Sequence, residues 1–209
     1  MQREPPDTHF YAEIRDLNVE FLGLLAAGRR CCHGPVFGLD TAVVDQISRL
    51  NPPQVEAMAA TPCLLAAFSA RRPARAARIA EPPPAGDPEW SAHARLFAAG
   101  LLTYALQMAR RDSLMAALCA GSAAGSLAGD TGFRDICGYA DRALQHLEAR
   151  FRRQTRFWPD LVTATRDGRP ERLHLARLSA IQLATFETGR PLAAAVPGLA
   201  LAAGTAHTR

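Results

Sequence analysis

Residues 36–68 read VFGLDTAVVDQISRLNPPQVEAMAATPCLLAAF. The stretch predicts two short helices joined by almost no loop. Asp40 caps the first, which buries Val43, Val44, Ile47 and Leu50. Asn51 stands where the second begins. Pro52 takes its first position, where an amide hydrogen has no partner inside the helix. Gln54 takes the third, from which its side chain folds back on the cap. Val55, Met58 and Ala59 point inward, Pro62 closes or bends the helix, and Leu64, Leu65 and Phe68 continue the apolar face. Helix–tight turn–helix serves regulators on DNA and serves bundles for packing alone. The second helix opens Pro-Pro-Gln-Val-Glu-Ala-Met, with one amide, one acid and no arginine. Base readout draws on Arg, Lys, Asn or Gln at a helix start, so this hairpin reads as packing.

Working outward, Asp7 or Thr8 starts a first helix that runs to about Ala27. Ile14, Leu17, Phe21, Leu24 and Leu25 follow helical spacing and form its core and dimer face, with Gly28 as its stop. Residues 69–86 are rich in Pro, Ala and Arg and read as a linker. Asp87-Pro88 repeats the cap-plus-proline signal and opens a helix to about Arg111, bearing Trp90, Leu96, Phe97, Leu101, Tyr104, Leu106 and Met108. Ser113 to Gly129 is small-residue sequence suited to close helix contact. A helix from Thr131 to about Arg153 places Phe133, Ile136, Cys137, Ala140, Leu144, Leu147 and Phe151 inward. A short segment over Trp158–Thr165 leads to a turn at Asp167-Gly168, and a last helix spans Pro170 to Thr188, with Gly189 as its stop. No stretch alternates as a strand does.

The predicted fold is therefore all-α: a helical domain over 1–70, a flexible linker over 71–88, a second helical domain over 89–189 and a disordered tail over 190–209. Ala27-Gly28-Arg29-Arg30 after the first helix is echoed by Ala109-Arg110-Arg111 after the fourth. Both a diverged repeat and chance in an Ala-, Leu- and Arg-rich chain produce such an echo.

The chain has 209 residues, 48% hydrophobic, enough for a sizeable core, and a net charge of +4. Every basic residue is arginine, which reads as coding bias. Residues 1–70 hold five Arg against eight Asp and Glu, so the hairpin lies in the acidic part. Phosphate neutralisation needs positive charge at the contact, which makes this part a poor DNA binder alone. The polar N-terminus carries no secretory signal, and no apolar run reaches a membrane span. The expectation is a cytoplasmic protein with reduced thiols and no membrane partner.

Three ordered blocks resemble FlhD, the all-helical subunit of the flagellar master transcriptional regulator. The first is Ile14, Asp16, Leu17, Asn18, Phe21, Leu22 and Leu24; the second is Phe37, Gly38 and Leu39. The third runs from Leu50 through Pro53, Gln54 and Val55 to Ala59, Thr61, Leu64 and Phe68. They cover about residues 12–68. The resemblance implies a homodimer formed by the first helix and its surroundings. It also implies an FlhC-like partner carrying most DNA contacts, and transcription activation at promoters with RNA polymerase.

Among candidate sites, Arg150, Arg152, Arg153 and Arg156 interleave with Phe151, Phe157 and Trp158. They form the best basic cluster for DNA or partner contact, although arginines at a helix C-terminus also complement its dipole. Cys31-Cys32-His33 lacks the spacing of a zinc site, and Cys63, Cys119 and Cys137 read as buried apolar thiols. No catalytic signature is present, so neither an enzyme nor a cofactor is expected. Two functions stand open: an FlhD-like activator subunit, or a helical interaction adaptor or anti-activator that does not bind DNA. A small-molecule sensor over Ala116–Ala128 is a third.

Overall fold

The structure, a computed structural model, describes residues 8–31, 34–69, 87–121, 143–144 and 146–189. Among them are seven helices and one two-stranded sheet. The helices are α1 (Thr8–Cys31), α2 (Thr41–Ile47), α3 (Pro52–Ala59), α4 (Pro88–Arg111), α5 (Ser113–Ala120), α6 (Phe157–Asp167) and α7 (Pro170–Glu187). The strands are β1 (Ala66–Phe68) and β2 (Leu147–Ala149). The all-α class holds, with this small sheet as an addition.

The caps form as their residue types dictate. Asp40 accepts from the Ala42 amide at the start of α2. At α3 the box is reciprocal: the Gln54 amide donates to Asn51 Oδ1 at 2.9 Å, and the Asn51 amide donates to Gln54 Oε1 at 3.0 Å. Asp87 starts α4 with Pro88 at the first turn. Gly168, at φ 63°, separates α6 from α7.

α1 packs on α2, α3 and α4. Ile14, Phe21, Leu24 and Leu25 are fully buried inside the chain, and Leu17 is half-buried against the same core. Their faces meet α1's own neighbours, not open surface. Phe21 stacks on Phe97 of α4 at 5.9 Å. Gly28 does not end α1; the helix continues to Cys31. A Cβ at Gly28 would lie 2.8 Å from Val36 Cγ1 and 3.1 Å from the Trp90 ring. Glycine is there for close approach, and Trp90 uses the space to donate from Nε1 to the Leu24 carbonyl at 3.0 Å. One buried cluster thus takes residues from both sides of 71–88.

Val36 to Leu39 is a tight turn closed by the Leu39 amide on the Val36 carbonyl. Phe37 and Gly38 both have positive φ, 50° and 80°, the signature of a type I′ turn. Phe37 is strained there, and its ring is held between Phe21 at 5.5 Å and Trp90 at 5.7 Å.

Three expectations need correction. Leu64, Leu65 and Phe68 do not extend the apolar face of α3: Pro62 does end it, but Ala66–Phe68 then forms β1. The helix expected to reach Arg153 is not helical over its last part, because Leu147–Ala149 is β2 and Arg150–Arg153 is turn. β1 and β2 pair antiparallel, Ala66 with Ala149, Ala67 with Glu148 and Phe68 with Leu147. Such a strand is too short to show alternation, and its partner is about eighty residues away, so nothing local announces it. Leu96 faces solvent at 74% exposure, because Phe97 and Ala98 take the buried side of α4. Trp158–Thr165 is not a short connector but part of α6, a full helix. Phe133, Ile136, Cys137, Ala140, the linker over 71–86 and the tail lie outside the described residues, and Asp87 and Pro88 belong to the start of α4 instead of the linker.

The elbow from α3 into β1 depends on Asn18 of α1, which is fully buried. Its Nδ2 donates to the carbonyls of Ala59 and Cys63, both at 3.0 Å, and its Oδ1 accepts from the Leu65 amide at 2.8 Å. Asn18→Ala leaves these backbone groups buried and unpaired, and should cost about 3 kcal/mol in urea unfolding. Asn51→Ala, at an exposed cap, should cost about 1 kcal/mol by the same measurement.

Candidate functional site

The arginine-rich turn after β2 is where the sequence places a contact surface. The structure separates its four arginines. Arg150 is 1% exposed. Its Nε and Nη2 donate to Glu187 Oε2 at 3.0 and 2.9 Å, and its Nη1 donates to the Cys119 carbonyl at 2.7 Å. The guanidinium lies 4.7 Å from the centre of the Phe151 ring. Its backbone is held as well: the amide donates to the Leu65 carbonyl, and the carbonyl accepts from Trp158 Nε1. One residue thereby ties the residue before β1 to α5, α6 and α7. A buried guanidinium needs this many partners, since an unpaired charge in the interior is very costly.

Arg150 is therefore corrected from a contact residue to a core residue. Arg152 donates from Nε to Glu148 Oε2 at 2.8 Å. Its stem crosses Gly38, where a Cβ would lie 2.7 Å from Arg152 Cδ; at φ 80° this position also favours glycine. Arg153 and Arg156 are exposed, with no ion-pair partner among the described residues. Two of the four positive charges are thus neutralised by Glu187 and Glu148.

Around Arg150 opens a cleft of about 580 Å³, lined by Phe68, Glu148, Arg152, Arg153, Phe186 and Glu187 among others. Paired carboxylates and guanidiniums line one part of it and exposed aromatic surface another. That mixture suits a polypeptide better than a phosphate backbone, which repels Glu148 and Glu187. Leu175, Leu178, Ile181 and Phe186 of α7 face solvent, and Phe186 lines the cleft.

No family model matches this chain, and neither a curated protein nor a solved structure does. The site is thus interpreted from its own residues. Asn51 and Gln54 spend their polar groups on each other, as the sequence predicts. Glu56, the one acid of α3, is paired with Arg15 of α1. Neither leaves a base-reading side chain on that hairpin. Among the described residues no three His, Cys, Asp or Glu stand together as metal ligands. Cys31 lies against Asp87 at the start of α4, and Cys32 and His33 lie outside the described residues. No helix among the described residues is long and apolar enough to cross a membrane.

The buried roles of two residues in this region, Arg150 and Asn18, escaped the sequence. Arg150 had a weak signal, lying between Ala149 and Phe151 in a run otherwise read as a helix end. Asn18 had a clearer one: it occupies a core position, four after Ile14 and three before Phe21, where a polar side chain demands a buried partner.

Cys63 and Cys119 lie beside the Arg150 ion pair. Burial is the main cause that raises the Cys63 thiol from 9.0 to about 11, and the Cys119 thiol from 9.0 to about 12. The Arg150 charge opposes both shifts, more weakly. Both thiols keep their protons in the fold where the unfolded chain loses them. Their contribution to stability is complete below pH 9.0 and is lost as pH climbs through about 11 and about 12. Iodoacetamide at about pH 8 should leave both unlabelled in the native protein and label both after denaturation, since the thiolate is the nucleophile. Peptide mass mapping reads the outcome, and native labelling at either position contradicts the buried placement.

Proposed function

We propose that this chain is an FlhD-like transcriptional regulator subunit. It works as a dimer, binds promoter DNA together with an FlhC-like partner, and activates transcription with RNA polymerase in the cytoplasm. The observation that carries this reading is the packing of the three sequence blocks into one unit. Asn18 of the first block bonds the backbone at Ala59, Cys63 and Leu65 in and beside the third. Phe37 of the second block packs its ring against Phe21 of the first at 5.5 Å. Residues that resemble a family in order and spacing also make one another's contacts.

The partner-dependent form is supported by what the surface lacks. The start of α3 offers no unpaired base-reading side chain, Arg150 is buried, and Arg152 is neutralised by Glu148. Arg153 and Arg156 remain as phosphate contacts, and two charges give little affinity at physiological salt.

A second reading is an interaction adaptor or anti-activator without DNA binding. The exposed Leu175, Leu178, Ile181 and Phe186 favour it, since solvent-facing apolar side chains grouped on one helix mark a surface another protein covers. Neither reading involves catalysis or a cofactor.

Mobility-shift assays separate these cases. The purified protein alone should leave promoter DNA unshifted, and a mixture with an FlhC-like protein should shift it. Tight, sequence-specific binding by the chain alone overturns the partner-dependent reading. If the mixture gives no shift although the two proteins co-elute, the adaptor reading replaces the activator. In the shifting mixture, Arg153→Ala with Arg156→Ala should weaken binding about threefold to tenfold and flatten its salt dependence.

A further inference from the structure

The apolar residues of α7 are arranged inside out. The helix packs on α5 and α6, and its buried side carries the small side chains of Ala176, Ala180 and Ala184. Its large apolar side chains face away: Leu175 is 62% exposed, Leu178 41%, Ile181 38% and Phe186 81%. Among the described residues only Tyr11 and Leu96 are comparably exposed elsewhere. At 3.6 residues per turn the four fall within about 140° of the helix circumference, so they form one stripe. Grouped apolar surface of this kind marks an interaction site.

The order of residues in the stripe points to its occupant. Leu175 and Phe186 stand almost equally far from Ala180, on either side of it, and so do Leu178 and Ile181. A two-fold axis across the helix at that point brings Leu175 onto Phe186 of a second copy, and Leu178 onto its Ile181. A two-fold interface needs a patch that is complementary to itself, and this spacing provides one.

Charge and area agree. Glu171, in the first turn, is the only carboxylate or guanidinium on the stripe, so a strongly charged partner finds nothing to pair with along its middle. Antiparallel pairing sets the two Glu171 side chains at opposite ends, roughly 27 Å apart at 1.5 Å per residue, and aligns the helix dipoles favourably. Parallel pairing sets both acids side by side. At the stated exposures the four side chains leave roughly 400 Å² open per copy, so a pair covers about 800 Å², and the stems of Glu171, His174 and Gln182 bring this to the ~1,000–1,200 Å² at which specific interfaces begin.

We infer that α7 is a self-association face, on which two copies of this chain pair antiparallel about a two-fold axis near Ala180. The apolar face of α1 is not free for this purpose, since Ile14, Phe21, Leu24 and Leu25 are spent inside the chain. The pairing supplies the dimer that the regulatory reading requires, but it rests on the stripe and not on that reading.

Sedimentation equilibrium of the full chain over about 1–100 μM should show a monomer–dimer equilibrium, as a small interface pairs weakly. Leu178→Glu puts a carboxylate beside the axis in both copies and should abolish the dimer over that range. Leu175→Glu or Phe186→Lys alone should weaken pairing about tenfold or more, because symmetry removes each contact twice. L175E and F186K combined in one chain face each other across the interface with opposite charges, and should pair more tightly than either single variant. Far-UV circular dichroism and a cooperative melt confirm that each variant folds. Phe186, at 81% exposure, touches the core least, so Phe186→Lys decides the case if Leu178→Glu does not fold. A parent that stays monomeric throughout overturns the inference, whether residues 190–209 or a different protein cover the stripe. A dimer that the folded variants leave intact also overturns it, while leaving dimerisation through another face in place. A combined variant weaker than both single ones overturns the antiparallel arrangement. Promoter binding with an FlhC-like partner is read separately by mobility shift, so either result can fail without the other.

Discussion

The side-chain amide of Asn18 is the fixed point of this molecule. Where the chain leaves α3 and turns into β1, the carbonyls of Ala59 and Cys63 and the amide of Leu65 are buried with no helix or sheet to satisfy them. An amide side chain supplies two donors and an acceptor at once, and α1 presents one at a position that is otherwise core. The elbow can then be dry. That bend sets where β1 runs, and β1 sets the register of β2, with Ala66 opposite Ala149. The register delivers Arg150 beneath Cys119 and Glu187. A buried polar residue in the first helix thus governs the placement of a buried charge more than a hundred and thirty positions later.

Arg150 repeats the same logic at higher stakes. Its guanidinium is compatible with the interior only because Glu187, the Cys119 carbonyl and the Phe151 ring surround it. Glu187 sits at the end of α7 and remains partly solvated, so the pair is anchored in the core at one end and wet at the other. The functional consequence is a reduced basic surface. A row of four arginines in the sequence becomes one core residue, one rim ion pair and two exposed charges. What remains at the cleft is a mixed polar and apolar face with two unpaired charges.

Much of the helical scaffold was legible because its signals are local. Asp40, Asn51 with Gln54, Asp87 with Pro88, and Gly168 are chemical statements about a helix end, and each acts within three residues of itself. The apolar spacing of α1 likewise identified Ile14, Phe21, Leu24 and Leu25 as core. The errors share a different cause. Gly28 looks like a stop but is a contact with Val36 and Trp90. Leu147–Ala149 looks helical but is a strand because of Ala66–Phe68. In each case the deciding neighbour is distant in sequence.

By itself the sequence determined the helical class, the starts of α2, α3 and α4, and the absence of arginine from α3. Those properties depend on backbone donors and side chains a few residues apart, or on residue type alone. The tertiary structure decided which polar residues are structural and which face solvent. It buried Asn18 and Arg150 and left Arg153 and Arg156 outside. Burial and pairing depend on what packs against a side chain across the whole fold, and no local pattern encodes that.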